Sequence, residues 1–128
     1  MANNFPMVKT VKAQYVFAND AGGTGDRTIS DSPVIPDNSI ITSVTTYVST
    51  AFTSGGSATV AVKVGGRTLV AAQNYNHASL ADEAVTVTAA GTWAKTTSAT
   101  KVMLTVATAA LTAGVCDVYI SYIDNKEN

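Results

Sequence analysis

The sequence predicts an all-β fold, an antiparallel β-sandwich of jelly-roll type with about eight short strands, and three observations carry that prediction. Apolar residues recur at every second position in run after run, as in Val60, Val62 and Val64 or Val102, Leu104 and Val106. The runs are filled with Val, Thr, Ile and Tyr, whose stiff or flat side chains suit a pleated, half-buried surface better than a helix. Turn residues punctuate them every 8 to 15 residues or so, with no alternation of strand and long helix that would signal a parallel sheet.

Residues 1–7, MANNFPM, read as an N-terminal arm outside the sandwich, because Asn3 and Asn4 favour turns and Pro6 has no N–H for a ladder. Phe5 and Met7 are its apolar residues, and the arm either frays or docks them on its own domain, a second copy or another protein. The sandwich spans residues 8–124, and a charged tail follows at 125–128. In the first strand, over 8–18, Ala13, Tyr15 and Phe17 share one face and Lys12 and Gln14 the other. The stretch 19–26, NDAGGTGD, is a loop; it lacks the Gly-Lys-Ser/Thr of a phosphate loop and the repeat of a calcium-binding nonapeptide.

A short strand over 27–30 leads into Pro33 and Pro36, which disfavour helix. Over 39–50, Ile40, Val44 and Val48 fall on one parity and Ile41 and Tyr47 on the other. Two apolar faces predict a strand covered on both sides, with Ile41 and Tyr47 as candidate subunit or shell contacts, before Phe52 and Gly55-Gly56 end it. Residues 58–72 form a hairpin around Gly65-Gly66, where glycines supply positive φ. The stretch 73–84 breaks the pattern, with one helical turn over 79–84. His77, Asp82 and Glu83 lie there, but a lone histidine without a cysteine nearby predicts a solvated loop and no metal site. Val85 and Val87 alternate with Thr86 and Thr88 in a further strand.

Trp93, the only tryptophan, is read first as a core or interface plug; with Tyr47 and Tyr75 it is also a candidate glycan-stacking platform, Tyr75 and Trp93 being its candidate contacts. Residues 101–123 read as a closing β-hairpin. Val102, Leu104 and Val106 face inward on one arm and Cys116, Val118, Ile120 and Tyr122 on the other, while 107–114 has room for a helical turn with Leu111 as its plug. Cys116 is the single cysteine, so no intrachain disulfide forms, and inward parity makes it an inert buried thiol.

Composition narrows function. A net charge of −1 gives no positive field for nucleic acid or anionic lipid. No run approaches a membrane span and no segment resembles a secretion signal. Only 13% of residues are charged while 46% are hydrophobic, so the exterior is dressed in Thr, Ser, Asn and Ala and offers little repulsion between copies. Self-association is expected. Catalytic groups are scarce and scattered, so no catalytic residues, no cofactor and no metal are expected.

The series 34–41 (VIPDNSII), 44–48, 60–62, 69–72 (LVAA), 104–114 (LTVATAALTAG) and 118–122 (VYISY) resembles small structural proteins of tailed bacteriophages, among them capsid decoration, auxiliary and head-fibre proteins. The resemblance implies a β-sandwich, commonly a trimer, bound to the virion shell through proteins such as the major capsid protein. It implies no enzymatic activity and no cofactor, with assembly in the host cytoplasm. A carbohydrate-binding or adhesin module is the alternative, for which an exposed Tyr75 or Trp93 is required.

Overall fold

The structure is a computed structural model that describes residues 8–65, 67–89 and 95–124. The N-terminal arm with Phe5 and Met7, Gly66, Trp93 and the tail at 125–128 lie outside the described residues. Eight strands are described: β1 (Val8–Val16), β2 (Gly25–Thr28), β3 (Ser39–Ser54), β4 (Thr59–Val64), β5 (Arg67–Asn74), β6 (Val85–Ala89), β7 (Val102–Ala107) and β8 (Leu111–Asp124). They form two antiparallel sheets, in the order β1-β8-β3-β6 and β2-β7-β4-β5. Of the connections between consecutive strands only β4 to β5 stays within a sheet; every other one crosses the core, the double-sheet jelly-roll arrangement.

Both inner faces obey the alternation in the sequence. Ala13, Tyr15, Val44, Val48, Cys116, Val118 and Ile120 from one sheet meet Val60, Val62, Val64, Val102, Leu104 and Val106 from the other, all buried. Tyr15 stacks tilted on Phe52, with ring centroids 5.9 Å apart, and its hydroxyl donates to the Ala21 carbonyl at 2.6 Å. That partner is needed because a buried phenol without one costs a hydrogen bond. Gly114, at φ 143°, lies so close against the Phe52 ring that a Cβ there would overlap it.

Several local expectations are corrected. The stretch 101–123 is no hairpin: β7 pairs with β2 and β4, whereas β8 pairs with β1 and β3, so its arms face one another across the core from the middle of opposite sheets. Alternation reports which side chains point inward but is the same for two paired strands and for two strands stacked face to face. No helical turn occupies 107–114. Thr108 turns the chain at φ 74° and β8 already begins at Leu111, which is buried as expected.

The first strand ends at Val16, and Phe17 opens the four-residue helix α1 (Phe17–Asp20) rather than continuing the face of Ala13 and Tyr15. In β3 a register shift between Ile41 and Ser43 reverses the parity. Ile41 therefore joins Val44 in the core at 4% exposure, Ile40 points out at 38%, and Ile41 and Tyr47 do not share a face. The strand also runs past Thr50 and through Phe52 to Ser54. The helical turn expected at 79–84 is a 3₁₀ turn at Ala78–Leu80, which sets Leu80 into the core.

Candidate functional site

The chemically capable side chains hold the fold together. Asp20 is buried at the corner where the chain passes from one sheet to the other, and its carboxylate accepts from Val16 N at 3.3 Å and Ser30 N at 3.0 Å. His77 caps the 3₁₀ turn, its Nδ1 accepting from Ser79 N at 3.1 Å. Cys116 is 1% exposed, and burial first, then the neighbouring Asp117, push its thiol up to about 12, so no thiolate forms near neutrality. Tyr15 is likewise pushed up to about 12 by burial and then by Asp20. Among the described residues no three of His, Cys, Asp and Glu converge as a metal would need. A cavity of about 30 Å³ between the sheets, with Thr46, Val62, Leu80, Thr86 and Cys116 in its wall, has room for water and little else.

The outer faces differ in character. On the β2-β7-β4-β5 sheet, Asp26 accepts from the Thr105 hydroxyl at 2.7 Å and pairs with Lys63 at 3.4 Å. The Thr105 bond is the main reason that its carboxyl lies below the usual carboxylate range. The outer face of the β1-β8-β3-β6 sheet is read in rows from the register. One row runs Val8, Ile123, Ile40; another Lys12, Tyr119, Thr45, Val87; a third Gln14, Asp117, Tyr47, Val85. Lys12 and Asp117 approach to 3.8 Å while Gln14 donates to Asp117 at 2.9 Å, and Lys95 continues the first row beyond Ile40, so charges on the described part of this face are few. Val8, Val85 and Val87 are exposed by 60%, 64% and 69%. For β-branched side chains in a sheet these are large values, and they collect on one face and its two edges.

Of the contact residues expected from sequence, the structure places Tyr47 on this face, half-buried between Asp117 and Val85, and Ile41 beneath it in the core. Tyr75 packs against the core, and Trp93 lies outside the described residues, so no aromatic platform is formed by the part described. Sequence reasoning did not single out Val8, Ile40, Val85 and Val87. In β6 alternation was read correctly, but which parity faces outward is decided by pairing with β3, and there the threonines turn inward and the valines out.

No family model matches the chain, and no curated protein matches it. Among solved structures, a chain of the cyanophage Pam1 capsid asymmetric unit superposes with a TM-score of 0.62 at 21% identity, over 94% of this chain and 87% of that one. A chain of the acid-stable capsid of Helicobacter pylori bacteriophage KHP30 gives 0.60 at 16%, over 100% and 97%. One from the capsid of Ralstonia phage GP4 gives 0.61 at 15%, over 96% and 86%. At these identities the shared property is the fold, along nearly the whole length of each chain.

Proposed function

We propose that this chain is a non-enzymatic structural protein of a phage particle, an oligomeric capsid decoration, auxiliary or head-fibre protein that binds the virion shell together with proteins such as the major capsid protein. The observation that carries the reading is the sparsely charged outer face of the β1-β8-β3-β6 sheet, with Val8, Val85 and Val87 exposed around Tyr47 and Tyr119. A face of this kind gains by covering apolar area and loses little by desolvating the Lys12–Asp117 pair, which is already closed on itself. The full-length likeness to chains from three phage capsids supports placing that face within a shell. A homotrimer, with the arm at Phe5 and Met7 as a second contact, is the favoured assembly.

The reading is tested by adding purified protein to particles that lack it. Co-sedimentation at a fixed ratio to the shell protein is expected, together with recovery of the chain from intact virions by mass spectrometry. Failure to bind particles or to appear in them removes the reading.

A further inference from the structure

Each sheet has two edge strands, and an unpaired edge invites another strand unless it is short, bulged or charged. Three of the four edges here carry such protection. The β2 edge has only Gly25–Thr28 and includes Asp26 and Arg27. Register shifts break β5 against β4 on both sides of Val62, and Arg67 stands at its start. The β1 edge bears Lys9 and Lys12. β6, with the sequence VTVTA, has no charge, no proline and an uninterrupted register from Ser43↔Ala89 to Tyr47↔Val85. Its two valines are the most exposed large apolar side chains among the described residues.

The geometry points to a specific occupant: β6 of one copy adds to β1 of a second copy of this chain, extending the β1-β8-β3-β6 sheet head to tail. This rests on the proposal that copies associate and names the surfaces by which they do so. Direction permits it, because the four strands alternate and β1 and β6 therefore run opposite ways. A copy related by rotation about an axis along the strands presents its β1 antiparallel to β6.

Charge selects it. The stretch 82–89 carries Asp82 and Glu83 and no base, whereas Val8–Val16 carries Lys9 and Lys12 and no acid. Pairing β1 with a second β1 would instead set lysines against lysines. Length fits as well: Val8 to Lys12, the less buried half of β1, matches the five residues of β6. Keeping outward side chains opposite outward ones allows a register that sets Val87 against Val8 and Val85 against Thr10. Apolar groups then meet apolar or neutral ones, with the acidic turn before β6 on the same side as the lysines of β1. Because the two surfaces differ, the contact is heterologous, and it forms a ring when the rotation between copies closes.

The full-length chain with Val8→Cys and Val87→Cys together tests the register, since directly opposed strand positions lie within disulfide reach. On mild oxidation a non-reducing gel is expected to show a covalent ladder that stops at the ring size given by light scattering. Either single variant is expected to stay monomeric on the same gel, with unchanged far-ultraviolet circular dichroism. Val87→Lys, also at an exposed position, is expected to weaken association at least about tenfold.

Cross-linking of Val87→Cys alone would overturn the proposal in favour of β6 pairing with β6 across a twofold. An oligomer that persists in light scattering while the double variant fails to cross-link would overturn the edge pairing and leave self-association standing. A wild-type monomer at every concentration would overturn both.

Discussion

Asp20 offers the most direct test of how the two sheets are tied together. It sits 8% exposed at the β1 corner, and its two oxygens serve different backbone donors, Val16 N at the end of β1 and Ser30 N just beyond β2. Arg27 Nε closes the same corner from outside by donating to the Asp20 carbonyl at 3.1 Å. In Asp20→Ala both N–H groups lose a charged acceptor. A hydrogen bond to a charged group contributes about 1.5–3 kcal/mol. The 3.3 Å bond falls at the weak end of that range, and the small residual exposure admits some water, so the combined loss is about 3 kcal/mol.

Against a total of about 5–15 kcal/mol for a domain, that is a large fraction. In urea, with a slope of about 1–3 kcal/mol/M, the midpoint followed by circular dichroism should fall by about 1–3 M. Asp20→Asn keeps the volume but one acceptor only, and points an amide N–H₂ at a second donor, so it should lie between wild type and Ala. Asp31→Ala, at an exposed position, should stay within about 0.5 kcal/mol. An Asp20→Ala midpoint that matches that of Asp31→Ala would refute the corner's role.

Gly114→Ala should destabilise by about 2–4 kcal/mol, since it places a Cβ against the Phe52 ring and forces an L-residue to φ 143°; thermal unfolding measures it, and an unchanged Tm would mean that Phe52 moves aside at no cost. Thiol reagent at pH 8 should label Cys116 only at the rate of unfolding, because a thiol pushed up to about 12 is ionised in roughly one molecule in ten thousand; labelling as fast as in urea would contradict its burial. Alkali has a definite sign. Cys116 and Tyr15 stay protonated in the fold up to about 12 but ionise in the unfolded chain from their ordinary values of 9.0 and 10.0. Stability is therefore intact below about pH 9 and lost as pH rises toward 12, and Cys116→Ala should flatten the first part of that fall in urea titrations between pH 9 and 10.

The alternation of Val102, Leu104 and Val106, and of Cys116, Val118 and Ile120, made the all-β class, the inner faces and the buried thiol legible from sequence, because period two is a local property of an extended chain. Pro33 and Pro36, the glycines around residue 65 and the polar break at 73–84 similarly marked where strands stop. None of these signals contains a pairing partner. That β7 and β8 lie in opposite sheets, that Ile41 slips into the core one residue after Ile40 points out, and that Val85 and Val87 face solvent were settled only by partners far along the chain.

A bulge and a sheet crossing are properties of two strands at once, so no single run of residues encodes them. The sequence by itself determined the extended runs, their inward parity where the register is unbroken, and an exterior too sparsely charged to keep copies apart. Tertiary structure alone decided which valines remain uncovered, because the ladder with β3 sets which face of β6 turns from the core.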